Sequence, residues 1–194
     1  MSERKTVNLG SALDQRVEVL ELRRDVAGNY GWNAIGSRYA AVEPDAKKNI
    51  FSDVGIGARG ATVTIRPDRT LTLFHAMRWN GTFLFLTSII PSRRRDRLEV
   101  KTALCKPVEC VANAQNKGSE GPKFPGILTG KYVGHSQLDP HAVVTTDYVL
   151  VTPKVITLAP GSWVICAGKY YRVLVPHELD EFKHEYEVRR KEDC

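Results

Sequence analysis

Residues 62–66 read T-V-T-I-R and residues 80–90 read N-G-T-F-L-F-L-T-S-I-I, and these two runs decide the fold. Val63 and Ile65 alternate with threonines, which is the period of a strand with one buried face. Asn80-Gly81 is a two-residue turn signal, because both residue types tolerate positive φ. Residues 83–90 are apolar on both parities, so this strand needs cover on both faces. A closing barrel, a loop or another copy of the chain would supply the second cover.

The order of elements in residues 62–104 returns in residues 147–190. Each copy contains a strand, a turn with a proline, a short strand, a glycine turn, an aromatic strand ending in proline, a charged turn and a last strand. The aligned positions are Trp79, Gly81, Phe83 and Pro91 against Trp163, Gly168, Tyr170 and Pro176. We interpret this as an internal repeat of two small β modules. Two unrelated β-meanders would show a similar pattern, so that alternative stays open.

The fold class predicted is mainly all-β, with a small β-barrel followed by a second β module. Residues 1–105 form the first module and residues 131–194 the second. Residues 106–130 are interpreted as a linker or excursion, because their sequence is rich in glycine, proline and small polar residues. Residues 45–60 form a long glycine-containing loop between two strands of the first module, and loops of this length tend to be functional or disordered.

The net charge of +6 lies entirely in the first half of the chain. Residues 1–110 hold 18 Lys and Arg against 12 Asp and Glu, whereas residues 111–194 hold 10 of each. This favours contact between the first module and a polyanion or an acidic neighbour. No apolar run reaches the ~18 residues of a membrane span, and the start M-S-E-R-K-T lacks the apolar segment of a secretory signal. We therefore expect a cytosolic setting with reduced cysteines.

Patterns that would indicate catalysis or ligand binding are weak. Residues 55–60 match G-x-G-x-x-G, but a strand follows them where a dinucleotide site requires a helix. The five histidines show no convergence with a nucleophile, and His135 and His141 near Asp139 are interpreted as solvated loop residues. The four cysteines lack C-x-x-C spacing, and those at positions 105 and 166 are expected in the core. We predict a protein that is not an enzyme and has no cofactor, metal site or small-molecule substrate.

Arg93, Arg94, Arg95 and Arg97 form the densest basic cluster, in a turn between two strands. In a functional interpretation, this turn contacts DNA phosphates or an acidic neighbouring subunit. In the alternative interpretation, it is a solvated hairpin tip. The matching turn of the second module, residues 177–181, reads H-E-L-D-E and is mainly acidic. The two turns would therefore meet if modules stack or if subunits form a ring.

Six motifs of the first module resemble, in order and spacing, those of one known family. They are Q-R-V-E-V (15–19), D-V-A-G-N-Y-G-W (25–32), R-Y-A-A-V-E-P (38–44), T-V-T-I-R (62–66), N-G-T-F-L-F-L-T-S-I (80–89) and L-E-V-K-T-A-L-C (98–105). Through them, residues 13–105 resemble the head-closure, or head–tail joining, proteins of tailed bacteriophages. Tyr39 stands where this family usually has tryptophan. The second module is not part of the usual family pattern, so its role is left open.

The resemblance implies a subunit that forms a ring of six or twelve copies beneath the portal or adaptor ring. Such rings close the DNA channel of the filled capsid and present a docking surface to the tail terminator or tail tube. The expected location is the virion neck, assembled in the host cytoplasm, with genomic DNA in the channel and no membrane contact. The strand that is apolar on both faces fits a subunit that buries part of its sheet against neighbours, and Phe83, Phe85 and Ile89 are then expected at a subunit interface.

In the family, the long loop between the second and third strands faces the channel and helps to gate it. Here that loop covers about residues 43–61. Its candidate channel residues are Lys47, Lys48, Gly55, Gly57, Arg59 and Gly60.

Two alternatives remain. One is another neck or tail ring component, such as a tail terminator. The other is a cytosolic oligonucleotide-binding β-barrel, which requires aromatic and basic residues interleaved on one sheet face. Residues 83–90 contain no lysine or arginine, which argues against this second alternative.

Overall fold

A computed structural model describes residues 13–45, 60–93, 95–113, 120–130 and 147–191 of the chain. All the regular elements in these residues are β-strands, which confirms the predicted all-β class. The strands are β1 (Gln15–Arg24), β2 (Tyr30–Pro44), β3 (Gly60–Ile65), β4 (Ala76–Trp79), β5 (Thr82–Pro91), β6 (Leu98–Cys105), β7 (Val108–Asn113), β8 (Glu120–Gly130), β9 (Asp147–Pro153), β10 (Trp163–Cys166), β11 (Lys169–His177) and β12 (Lys183–Arg190).

The first six strands form a closed antiparallel barrel in the order β1-β2-β3-β6-β5-β4, with β4 pairing back onto β1. Alternation along β3 explains the inward face, because Ala61, Val63 and Ile65 are buried while the intervening side chains are half-buried. These residues pack in the barrel interior with Met77 and Leu84. The barrel is therefore filled by side chains from its own strands.

The last six strands form a second closed barrel, in the order β7-β8-β9-β12-β11-β10, with β10 pairing onto β7. This corrects the linker assignment of residues 106–130, because β7 and β8 lie there. Gly126, one of the glycines that suggested a linker, serves close packing instead. A Cβ added at Gly126 would lie 2.8 Å from both Cys110 Sγ and Leu150 Cδ1 inside the barrel.

The strand order of the second barrel repeats that of the first. In both, the fourth and fifth strands are joined by a two-residue turn with positive φ at each position: Asn80 and Gly81 (47° and 77°), then Ala167 and Gly168 (49° and 76°). Such a turn matches the twist of the flanking strands. Phe83 and Tyr170 occupy equivalent positions after these turns, whereas Trp79 matches Cys166 rather than Trp163.

A second local irregularity is also repeated. The register between β5 and β6 shifts between Leu86 and Ser88, and that between β11 and β12 shifts between Val173 and Val175. Leu86 follows Gly81 by the same number of residues as Val173 follows Gly168. Since a bulge is a specific local feature of a strand pair, its recurrence supports the internal repeat.

The outward face of β5 is covered by the second barrel of the same chain. Phe83 and Phe85 are buried in a cluster with Ile127 of β8 and with Val149 and Val151 of β9. This corrects the expected role of the two phenylalanines, because the interface they form lies between the two barrels and not between subunits. Ile89 is half-buried and packs against the core of the first barrel.

Each barrel has two ends, which we name by their connections. At the loop end of the first barrel lie the turn at residues 80–81 and the paired residues Pro44 and Ala61, which flank the long loop. At its turn end lie residues 25–29, 66–75 and 92–97. In the second barrel, residues 154–162 and 178–182 take the equivalent turn-end positions.

Candidate functional site

A cleft with a volume of about 710 Å³ lies between the two barrels. It lies on the side where the turn ends of both barrels meet. Its walls are mainly apolar and include the aromatic residues Tyr30, Trp32, Phe74, Phe85 and Phe182. The charged residues in the walls are Glu21, Arg24 and Lys154. A cleft of this size is within the range of small-molecule sites, although size alone assigns no ligand.

Aromatic contacts hold the walls of the cleft together. The rings of Phe74 and Phe182 meet edge-on with centroids 4.9 Å apart, and they join the turn ends of the two barrels. Trp32 packs against Phe83 with centroids 5.6 Å apart. Both geometries are favourable for aromatic pairs. The cleft is therefore a built junction, with rigid rings on both sides.

The charged groups that line the cleft have local partners. The Glu21 carboxylate pairs with Arg23 at 2.8 Å, and Nε of Arg24 donates to the Gly28 carbonyl at 3.2 Å. The Lys154 ammonium donates to the carbonyl oxygens of Glu178 at 3.0 Å and Asp180 at 2.5 Å. The backbone N–H of Thr72 donates to Nδ1 of His75 at 3.1 Å. The contacts of Arg24, Lys154 and His75 fix the shape of the turns. The charged and polar groups of the cleft form no nucleophile–base–orienter arrangement among the residues that the structure describes.

The predicted basic cluster lies at the turn end of the first barrel, where Ser92 organises the β5–β6 turn. The Ser92 carbonyl accepts from the Arg95 N–H at 2.9 Å, and its hydroxyl donates to the Asp96 carboxylate at 2.9 Å. Arg95 adopts a positive φ of 57°. The turn therefore exposes Arg93 and Arg95, while Arg97 is half-buried; Arg94 lies outside the described residues.

The mainly acidic turn of the second barrel takes the topologically equivalent position, between β11 and β12. Asp180 Oδ1 accepts the N–H groups of Phe182 at 2.7 Å and Lys183 at 3.1 Å, so its carboxylate fixes the turn. Glu178 and Glu181 are exposed. The two oppositely charged turns thus occupy matching places in the two barrels.

The candidate channel residues Lys47, Lys48, Gly55, Gly57 and Arg59 lie outside the described residues. Gly60 is described and begins β3, where its carbonyl accepts from the Asp45 N–H at 2.9 Å. A Cβ at Gly60 would meet the carboxylate of the exposed Asp45 side chain, so the two residues lie close together at the root of the loop. This root lies at the loop end, opposite the arginine turn.

The two other histidines in the described part of the chain have side-chain partners. His184 and Tyr186 are buried together, and His177 pairs with Glu187 at 3.2 Å; His135 and His141 lie outside the described residues. Cys166 is buried, as expected from the sequence, while Cys105 is half-buried and its pKa is raised to about 11 by burial. In the described part of the chain, no group of three or more His, Cys, Asp or Glu residues is placed to hold a metal ion.

Sequence reasoning missed two features of the site. It did not predict the cleft, because its walls come from turns far apart in the chain. It also did not predict that Cys110 and Cys166 lie side by side on neighbouring strands, because this contact forms only when β7 and β10 pair to close the second barrel.

The fold and the cleft define this chain as an all-β protein of two closed barrels. The sequence matches no protein-family model and no curated protein. Among solved structures, it is similar to the solution structure of protein SF1141 from Shigella flexneri 2a, at 21% sequence identity and a TM-score of 0.41. That similarity covers 50% of this chain and 96% of the Shigella protein. The described residues include no helix with the length and apolarity needed to cross a membrane.

Proposed function

We propose that this protein is a structural component of the neck of a tailed-bacteriophage virion. In this proposal, copies form a ring beneath the portal or adaptor ring, close the DNA channel and connect the head to the tail. The observation that carries the proposal is the placement of the six family-like motifs. They fall in order along the first barrel, on β1, the β1–β2 turn, β2, β3, the β4–β5 hairpin with β5, and β6.

Exposed apolar side chains on the first barrel support assembly into a ring. Tyr39, at the position where the family usually has tryptophan, is 68% exposed on β2. Ile35 of the same strand and Ile90 of β5 are also exposed. Large apolar side chains in contact with water favour burial against a partner. In a ring, the neighbouring copy would supply that cover.

The positions of the long loop and of the arginine turn bear on whether the arginines contact DNA or a neighbouring subunit. The root of the long loop and the arginine turn lie at opposite ends of the first barrel. If the loop faces DNA in the channel, Arg93 and Arg95 point away from the channel and contact protein. The exposed acidic turn of a neighbouring copy is a complementary surface for them, and such pairing mainly sets specificity and register.

The second barrel has a clear physical role in this proposal. It covers the outward face of β5, which a single-barrel subunit would expose. The chain therefore adds a second, topologically equivalent barrel to each ring position. This widens the ring and offers a surface for the portal or for the tail.

Negative-stain imaging of the full-length protein, alone and with portal complexes, tests the proposal. We expect rings of six or twelve copies on the portal. Reversal of two charges with Arg93→Glu/Arg95→Glu should abolish rings, whereas the matched control Lys169→Glu/Arg172→Glu on the second barrel should retain them. A protein that stays monomeric with portal complexes would overturn the proposal. Tight binding of single-stranded DNA by such a monomer would favour the oligonucleotide-binding alternative.

A further inference from the structure

Two cysteines face each other at the seam that closes the second barrel. Cys110 lies in β7 and Cys166 in β10, and they are direct partners in the register of these strands. Both side chains are 0% exposed, and their sulfur atoms are 3.2 Å apart. They are separated by 56 positions in the chain, so any bond between them would join the first strand of the barrel to its fourth.

The backbone geometry at this pair suits a cross-strand bond. The Ala167 N–H donates to the Glu109 carbonyl at 3.1 Å, so residues 109 and 167 form a hydrogen-bonded pair. Pair types alternate along an antiparallel ladder, which makes Cys110 and Cys166 a non-hydrogen-bonded pair. The Cα atoms of such pairs are about 4.5 Å apart, within the roughly 4.4–6.8 Å that disulfides span.

We propose that Cys110 and Cys166 form an intramolecular disulfide that locks the seam of the second barrel when the protein meets a small-molecule disulfide. One cysteine, as its thiolate, attacks a sulfur of the small disulfide and releases one thiolate from it. The second cysteine then attacks the mixed disulfide and releases the second thiolate. The two cysteine protons pass to the released thiolates, so the protein is oxidised by two electrons and one small disulfide is reduced to two thiols.

Burial determines when this exchange takes place. The hydrogen bond with Cys110 and desolvation by burial raise the pKa of the Cys166 thiol, so little thiolate is present in the closed barrel. The pair adjoins the turn at residues 167–168, and β10 is only four residues long. Exchange in the folded protein therefore requires local opening of this short strand, while refolding gives the oxidant direct access. The lock is independent of the proposed neck function.

The test uses the full-length protein in two arms, folded and refolded from urea, in a buffer of oxidised and reduced glutathione. In both arms free thiols are alkylated with N-ethylmaleimide in denaturing urea, so that buried thiols also react, and cross-linked peptides are mapped by mass spectrometry. We expect the refolded chain to carry two N-ethylmaleimide adducts fewer than the chain that stayed folded, and we expect Cys110 to be linked to Cys166. Dithiothreitol should reverse the link. The oxidised form should unfold at a temperature about 5–10 °C higher, because the bond restricts a long loop in the unfolded chain.

Two variants keep the experiment decisive. Cys105→Ala/Cys194→Ala retains the pair and should form the same link on refolding, with the same dependence on oxidant. Cys166→Ala should lose both the link and the oxidant-dependent shift in unfolding temperature. Free thiols at positions 110 and 166 after refolding would overturn the proposal, as would links from either residue to Cys105 or Cys194.

Discussion

The rings of Phe74 and Phe182 meet edge-on across the junction of the two barrels, with centroids 4.9 Å apart. Phe74 belongs to the β3–β4 connection and Phe182 immediately precedes β12, so this contact ties the turn ends of the barrels together. Deeper in the same junction, Phe85 of β5 is 7% exposed, whereas Phe74 is 52% exposed. Substitution of Phe85 therefore reports on the contribution of the junction's core to stability, and substitution of Phe74 reports on that of its rim.

Phe85→Ala should lower the free energy of unfolding by about 3–4 kcal/mol, because it removes a buried ring and leaves a cavity. Phe74→Ala should cost about 1 kcal/mol, since half of its ring already contacts water and only the aromatic pair is lost. Urea unfolding measures both values. Equal costs for the two variants would show that the barrels do not pack through β5 in solution.

Gly126→Ala should destabilise the second barrel by about 1–3 kcal/mol through overpacking. Its new Cβ would lie 2.8 Å from Cys110 Sγ and Leu150 Cδ1, both in the interior. Gly130→Ala on the same strand is the matched control, because nothing lies within 4 Å of its Cβ position. Thermal unfolding of the two variants gives the comparison. Equal stability of the two variants would mean that residue 126 is not closely packed in the barrel interior.

The sequence predicted most of the local structure correctly. The alternation at residues 62–66, the Asn80-Gly81 turn and the last strand of the second copy are all confirmed. These features depend on side-chain period and on turn chemistry within a few residues, where sequence patterns are informative.

The errors arise where distant parts of the chain meet. Glycine and proline in residues 120–130 indicated a linker, because the close approach that requires Gly126 is visible only in the closed barrel. For the same reason, the sequence did not show which part of the structure covers Phe83 and Phe85. Apolarity on both faces shows that a cover exists, but not whether it comes from the same chain. The cleft walls and the Cys110–Cys166 pair likewise depend on tertiary register.

Tyr186→Phe should destabilise the protein by about 1–3 kcal/mol, although it removes a single oxygen atom. The Tyr186 hydroxyl donates to the Ile156 carbonyl at 3.0 Å and accepts from the Leu158 N–H at 3.1 Å. Its loss leaves the Leu158 N–H without this acceptor in the barrel interior. Tyr148→Phe is a suitable control, because Tyr148 is only half-buried and keeps its ring contact with Tyr171. Chemical denaturation measures the free energy of unfolding of both variants. An equal loss in the two would contradict a structural role for the buried hydroxyl.

Cys105→Ala should flatten the loss of stability at alkaline pH. Burial raises the pKa of the Cys105 thiol from 9.0 to about 11, so the folded chain keeps this proton at pH values where the unfolded chain releases it. A raised folded-state pKa contributes stability that is fully present below about pH 9 and is lost as pH rises towards 11. The size of this contribution is on the order of 2 kcal/mol.

Urea unfolding at intervals from neutral pH to pH 11 checks this expectation under reducing conditions. The parent protein should lose stability more steeply above pH 9 than Cys105→Ala, and the two slopes should agree near neutral pH. Tyr171 and Tyr186 also have raised pKa values, chiefly because of burial, so both proteins keep a residual alkaline slope. Parallel curves throughout this range would mean that the Cys105 thiol ionises equally in the folded and unfolded chains, and that the edge of β6 is open to water.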